Sequence, residues 1–217
     1  MFTGIVEEKG TILSVKQQAN SLKLVIHAKT VLSDVKIGDS IAVNGVCLTV
    51  TSFLSDQFSV DVMPETYRYS SLSQAHTGVE VNLERAMHAN GRFGGHFVSG
   101  HVDTVGEILN SWTEANAQYF SIQVTGDGIK YLMPKGSITI DGTSLTVFDV
   151  DTDRFIVSLI PETQQKTILG DKQKGDLVNL EYDMLAKYME NLIRHNETEK
   201  QTSKVTEDTL REHGFID

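Results

Sequence analysis

A thiol and a hydroxyl occupy matching places in this chain: Cys47 and Ser144 each stand two residues before a threonine, Thr49 and Thr146. Such groups add to electron-poor carbon once a base takes their proton, and they polarise an acceptor when they donate a hydrogen bond. A lone cysteine is commonly a small buried hydrophobe, but the paired position speaks for a shared binding surface. Two histidines, His96 and His101, lie in Gly94-Gly95-His96-Phe97-Val98-Ser99-Gly100-His101, and a neutral imidazole in a cleft is suited to moving a proton near pH 7. Their other reading is that they satisfy backbone groups at a glycine-rich junction. No metal is expected, because the five-residue spacing fits no helix or strand ligand geometry and no further Cys or His joins the pair. Lys135 and Asp141 precede Ser144 where the other stretch has Gly38 and Asn44. They are either exposed turn charges or a cation and an acid gained for divided labour.

These residues are positioned by a chain that states one pattern twice. Phe58 through Thr66 returns as Phe155 through Thr163, Val81 through Glu84 as Val178 through Glu181, and Ser40 through Val50 as Ser137 through Val147. Gly4-Ile5-Val6 falls on Gly100-His101-Val102. The register is roughly 97 residues with a one-residue slip, which is domain-sized. The reading is two homologous domains, residues 1–96 and 97–193, with a tail from 194 to 217. Within each, alternation such as Ile41 and Val43 between Ser40, Ala42 and Asn44, broken by Asn44-Gly45 and Asp141-Gly142, predicts short antiparallel strands and tight turns. Alternation turns Val46, Leu48 and Val50 inward and Cys47 and Thr49 outward. Many short strands with one short helical stretch, Glu65 to Leu72, need closure, so each repeat is expected to be a small barrel and the fold class all-β. From Asp183, Met184, Leu185, Tyr188, Met189, Leu192 and Ile193 recur at three and four, an amphipathic helix that packs on its own chain or forms an oligomer seam. Asn196 to Lys204 is a polar, mobile tail, and a last helical turn is expected over Glu207 to Glu212.

Composition narrows the function. The chain has 217 residues, 40% hydrophobic and 22% charged, with a formal net charge of -10, so it folds and repels a phosphate backbone in the absence of a basic stripe. No nucleic-acid partner is expected. No strand-to-helix G-x-G-x-x-G or G-K-[ST] supports a nucleotide fold. The single cysteine excludes an internal disulfide and points to a reducing, cytoplasmic setting. The start lacks a cationic segment and apolar run and no stretch suffices for a membrane span, so neither export by signal peptide nor a membrane partner is expected.

The opening Met1-Phe2-Thr3-Gly4-Ile5-Val6, Asn44 through Val50, Gly94-Gly95-His96, Ser99-Gly100-His101, Asp141 through Val147 and Leu159 through Thr163 together resemble the alpha-type riboflavin synthases, enzymes of two lumazine-binding repeats. The resemblance covers nearly the whole chain. It implies two six-stranded Greek-key β-barrels in tandem plus a C-terminal α-helix, and a homotrimer with its site between the first barrel of one subunit and the second barrel of a neighbour. It leaves open docking within a lumazine synthase shell. The implied reaction is a dismutation in which two molecules of 6,7-dimethyl-8-ribityllumazine exchange a four-carbon unit, giving riboflavin and 5-amino-6-ribitylamino-uracil without an external cofactor.

Carried over by motif, first-barrel contacts are Gly4, Ile5, Val6, Cys47, Leu48, Thr49, Asp61, Val62, Met63, Pro64, Glu65 and Thr66. The second barrel is expected to mirror them with Gly100, His101, Val102, Lys135, Ser144, Leu145, Thr146, Ser158, Leu159, Ile160, Pro161, Glu162 and Thr163. The implied roles are proton removal by His101 with Thr146, assistance to addition by Cys47 or Ser144, and ring orientation by Asp141 and Lys135. The competing function is a non-catalytic fluorescent antenna on the same fold. Relatives of that kind depart from Ser-Gly-His and Ser-Leu-Thr-Val in the second repeat, both intact here. A pair of oligonucleotide-binding barrels conflicts with the acidic balance and the lack of aromatics beside cations.

Overall fold

A computed structural model describes residues 1–18, 21–202 and 207–216. The first repeat supplies β1 (Glu8–Gln18), β2 (Ser21–His27), β3 (Ser40–Val43), β4 (Val46–Phe53), β5 (Gln57–Val62) and β6 (Glu80–Arg85). The second supplies β7 (Thr104–Glu114), β8 (Ala117–Gln123), β9 (Ser137–Ile140), β10 (Thr143–Val150), β11 (Arg154–Leu159) and β12 (Leu177–Tyr182). Each set closes into a six-stranded antiparallel barrel, in the order β1-β2-β5-β4-β3-β6 and its equivalent β7-β8-β11-β10-β9-β12. Closure leaves no free sheet edge, which is what so many short strands required. The repeat extends to irregularities: the β4–β5 register slips between Val50 and Ser52, and the β10–β11 register between Val147 and Asp149.

Alternation decides the interiors. Leu24, Ile26, Ile41, Val43, Val50, Phe58, Val60 and Leu83 fill the first barrel, and Ile108, Ile122, Ile138, Ile140, Val147, Phe155, Val157 and Leu180 the second. On β4, Val46, Leu48 and Val50 are buried while Cys47 and Thr49 turn outward. After β5 and β11 a proline opens a short helix, α1 (Pro64–Arg68) and α2 (Pro161–Lys166), its fixed φ suited to the first helical position. The helix expected from Asp183 is α3 (Met184–Thr202), and α4 (Glu207–Glu212) follows. Of the stretch read as a mobile tail, residues up to Thr202 are helical and Ser203 and Lys204 lie outside the described residues. The chain divides into two compact units, Met1–Met184 with both barrels and Leu185–Asp217. Among the described residues no helix is long and apolar enough to cross a membrane.

The barrels are joined by a buried polar lattice that obeys the repeat. Asn82 donates through its side-chain amide to the Asp141 carbonyl at 2.8 Å, and Asn179 donates likewise to the Asn44 carbonyl at 2.8 Å. Asn82 also accepts from the Ile168 amide, and Asn179 from the Ser71 amide. Asn44 and Asp141 hold left-handed φ values of 47° and 43° at the first position of their turns, which an Asx residue before glycine tolerates.

Here the copies differ. Asp141 is fully buried; its Oδ1 accepts from the Asn179 amide at 2.8 Å, while Oδ2 has no hydrogen bond and stands 3.9 Å from the Lys172 ammonium. The first barrel has neutral Asn44 and Ala75 at these two places. Burial pushes the Asp141 pKa up to about 6, Lys172 only partly opposing it. With its folded pKa above the unfolded value, Asp141 stabilises the fold when protonated, and that contribution is lost as pH rises through about 6. Asp141→Asn is therefore expected to be the more stable protein at pH 8, by on the order of 2 kcal/mol, with the advantage gone at pH 4. Urea midpoints of both proteins at the two pH values check this; an equal difference at both would remove Asp141 as the cause.

Candidate active site

Two backbone segments cross between the barrels. Phe2 and Val98 form an isolated antiparallel bridge, with the Phe2 amide donating to the Val98 carbonyl at 2.8 Å. Glu84 of β6 holds one segment, accepting from the Thr3 amide and hydroxyl at 2.7 Å each and from the Gly4 amide at 3.0 Å. Glu181 of β12 holds the other, accepting from the Ser99 amide and hydroxyl at 2.6 and 2.7 Å and the Gly100 amide at 2.9 Å. Each segment then delivers its glycine to the opposite barrel. The Ser144 amide of β10 donates to the Gly4 carbonyl at 2.7 Å, and the Cys47 amide of β4 to the Gly100 carbonyl at 2.8 Å.

The first barrel carries an open cleft of about 690 Å3, lined by Val46 and Cys47 of β4, Met63, Pro64, Glu65, Thr66 and Arg68 of α1, Tyr69 and Ser70 after it, and Gly100, His101 and Val102. This volume is in the range that encloses a small heterocyclic ligand. A Cβ on Gly94 would meet the Ile5 side chain at 3.2 Å, and one on the neighbouring Gly95 would lie 2.9 Å from the Ser144 Cβ. Cys47 is half-buried and packs against Phe2, Ala42 and Val98, so its thiol has apolar neighbours.

The second barrel differs at that point. His96 lies 2.7 Å through Nδ1 from the Ser144 hydroxyl and 3.1 Å through Nε2 from the Thr139 hydroxyl, and Thr139 is itself buried. Burial pushes the His96 pKa below the ordinary imidazole value, so the ring is neutral near pH 7, one nitrogen a donor and the other an acceptor. In the first barrel the place of Thr139 is taken by Ala42, and the repeat offers no residue at the place of His96. The second barrel thus presents a hydroxyl on an imidazole, and the first-barrel cleft a thiol on apolar side chains. Among the described residues no three His, Cys, Asp or Glu side chains stand together as a metal site.

The structure redistributes several sequence expectations. Gly4 was expected with the first barrel and residues 100–102 with the second; the crossing places Gly4 on Ser144, and Gly100, His101 and Val102 at the first-barrel cleft with Cys47. His101, lining the first cleft, is therefore not brought to Thr146 within the chain, and it is His96 that meets Ser144. Asp141 is buried in the joint between the barrels, not in a cleft. Lys135 sits exposed at a left-handed turn, φ 67°, where the first copy has Gly38 at 93°. Leu48, Val62, Leu145 and Leu159 belong to barrel interiors, which leaves only their backbone for a ligand. Cys47, Met63, Pro64, Glu65 and Thr66 line the first cleft together, whereas Thr49 and Asp61 are exposed outside that lining. In the second copy Ser144, Ser158 and Thr163 are half-buried, and Thr146, Ile160, Pro161 and Glu162 are exposed on the equivalent elements.

Sequence reasoning missed Val46, Arg68, Tyr69 and Ser70 in the first cleft and the His96 contact with Ser144 on the second barrel. The helical stretch was visible, but not which side of it would face Cys47. Gly100 has φ 81°, and a Cβ there would lie 2.6 Å from the Cys47 Cβ and 2.8 Å from the Phe2 ring. Gly100→Ala is therefore expected to push the crossing segment out of the first cleft and weaken ligand binding there at least tenfold, by strain and steric overlap together. Titration with a lumazine would check this; unchanged affinity would mean that the segment does not shape the cleft.

A model of the lumazine binding domain matches residues 3–86 and again 99–183, each match containing one barrel. The chain is 50% identical over 215 residues to riboflavin synthase of Bacillus amyloliquefaciens, covering 99% of this chain and 100% of that protein. It is 49% identical to the Actinobacillus pleuropneumoniae enzyme with the same coverage, and 45% identical over 195 residues to that of Schizosaccharomyces pombe, covering 89% and 94%. Among solved structures, LumP complexed with 6,7-dimethyl-8-(1'-D-ribityl) lumazine superposes with a TM-score of 0.75 at 25% identity, covering 83% of this chain and 98% of that one. LumP complexed with riboflavin gives 0.78 at 24% identity, over 84% and 99%. With two closed barrels, each matched by a lumazine binding domain, and full-length identity near one half, the chain belongs to the riboflavin synthase family.

Proposed function

We propose that the chain is a transferase that converts two molecules of 6,7-dimethyl-8-ribityllumazine into riboflavin and 5-amino-6-ribitylamino-uracil, one ring giving up the four-carbon unit that the other gains. The carrying observation is the pair of crossings built on one plan and furnished differently, Cys47 with Gly100 in one and Ser144 with Gly4 and His96 in the other. Two copies of one substrate need two similar seats, and unlike fates need unlike chemistry. Holding both rings in place supplies the entropic part of the barrier. No redox partner is called for, since donor and acceptor are the same compound.

In this reading His96 Nε2–H donates to Thr139, Nδ1 accepts from the Ser144 hydroxyl, and that hydroxyl is activated either for addition to the acceptor ring or for relay of a proton. Cys47 and His101 serve the other ring, and Glu65 and Thr66, which line the same cleft, take the ribityl hydroxyls in this reading. The crossed backbone of residues 2–4 and 98–100 lies between the Cys47 and Ser144 strands of one chain. This supports a reaction between clefts of different chains, since exchanging rings must approach to about 3.5 Å. A closed homotrimer, first barrel to second barrel around the ring, meets that need, with α3 as a candidate seam. The free thiol of Cys47 suits a cytoplasmic setting. Docking within a lumazine synthase shell belongs to the same proposal as an optional partner.

The test is to supply the purified protein with the lumazine alone. Riboflavin and the pyrimidine are expected in equal amounts, each half of the lumazine consumed. Tight lumazine binding without riboflavin would favour the antenna reading.

A further inference from the structure

The outer faces of the two barrels carry one more matched set. Strand pairing puts Thr146 beside Ser158, Ser158 opposite Tyr119 and Tyr119 opposite Trp112, a row over β10, β11, β8 and β7 on the side that bears Ser144. The same row on the first barrel is Thr49, Asp61, Lys23 and Lys16, over β4, β5, β2 and β1. The rows begin alike, at a threonine two residues past Ser144 or Cys47, and end unlike. Trp112 stacks on Tyr119 with ring centroids 5.3 Å apart, and Phe148 stands edge-on to Tyr119 at 5.7 Å, with Trp112 and Phe148 exposed. The first barrel has Lys16, Lys23 and Thr51 at these three places. Alternation turns both sets away from the barrel interiors, so core packing accounts for neither. Among the described residues the lysine over an aromatic ring is Lys130, 5.0 Å from the Tyr131 centroid, so Lys16 and Lys23 do not cover these rings within one chain.

Three packed aromatic rings on an open sheet face have the composition of an interface core, where Trp and Tyr carry much of the binding. An ammonium is drawn to the face of such a ring by its quadrupole. Two lysine rows repel each other, so the first-barrel row rejects its own kind and accepts the aromatic one. A contact between two different surfaces of one chain runs head to tail and closes into a ring. We infer that the Trp112–Tyr119–Phe148 face of one chain is the docking surface for the Lys16–Lys23 row of a second copy, and that this pairing makes a first barrel choose a second barrel. The inference rests on the reading of a reaction between unlike clefts of two chains, and it names the surfaces that select them. Each row starts on the strand that bears Cys47 or Ser144, so docking row on row brings those two strands to one seam.

Trp112 is the chain's single tryptophan, so its emission reads this face alone. The test is sedimentation of the full-length protein over a range of concentrations, with tryptophan emission and acrylamide quenching followed in the same samples. The wild type is expected to assemble, its emission shifting to the blue and its quenching falling roughly threefold below that of the diluted single chain. In the double variant Lys16→Glu with Lys23→Glu, assembly should need about tenfold more protein and Trp112 should become quenchable, although both substitutions lie on the other barrel. Lys16→Arg with Lys23→Arg should keep assembly and shielding, since a guanidinium also stacks on aromatic faces. An assembled wild type with Trp112 as quenchable as in the single chain, or shielding that survives both glutamates, overturns the inference and leaves the proposed reaction standing. A wild type that stays a single chain throughout would instead overturn the reading of a reaction between chains.

Discussion

His96→Gln is expected to lower the single-turnover rate about a hundredfold while leaving the protein folded, because glutamine keeps a hydrogen bond near Ser144 but cannot take its proton. Ser144→Ala should cost a comparable factor, and the double variant little more than either single one, since both act on one hydroxyl. The pH profile gives a second readout. Burial holds the His96 pKa below the ordinary imidazole range, so the neutral ring required of a base persists on the acid side of that range, and the rate should too. Rates unchanged in both single variants would remove this pair from the chemistry and return the search to Cys47 and His101.

The second large effect is on architecture and crosses between the repeats. Glu84→Ala strands three donors, the Thr3 amide and hydroxyl and the Gly4 amide, in a buried place. The expected cost is about 3 kcal/mol, seen as a fall in thermal midpoint of roughly 6–12 °C. Glu181→Ala strands Ser99 and Gly100 in the same way. Each acid belongs to one barrel, but the segment it anchors closes the site on the other. Hydrogen exchange should therefore quicken at the Ser144 amide in Glu84→Ala and at the Cys47 amide in Glu181→Ala. Quickening confined to the barrel that carries the substitution would contradict the crossed arrangement.

Much of this was legible because the repeat carries register as well as composition. Matching Ser40 through Val50 with Ser137 through Val147 located both hairpins, and alternation along them turned Cys47 and Ser144 outward, as β4 and β10 do. The same alternation argues against Leu48 and Leu145 as side-chain contacts, whereas Val62 and Leu159, on β5 and β11, enter only with the motif carried over whole. The exchange of Gly4 and Gly100 between barrels was illegible. Neighbours in sequence are the default assignment, and nothing local marks a segment held by one barrel's glutamate and hydrogen-bonded to the other barrel's strand. The same holds for His96 and Ser144, which meet across 48 positions. Asp141 looked like a site acid because it precedes Ser144; the left-handed turn that makes it fit also points it into the joint between barrels.

The central claim is that a first-barrel cleft of one chain works with a second-barrel cleft of another. Two inactive variants, Cys47→Trp to fill the first cleft and Ser144→Trp to fill the second, can be co-expressed and purified together. If unlike clefts pair between chains, random assembly leaves about a quarter of the paired sites intact, and activity should return to about that fraction of wild type. Mixed assemblies as inactive as either variant alone would contradict the account.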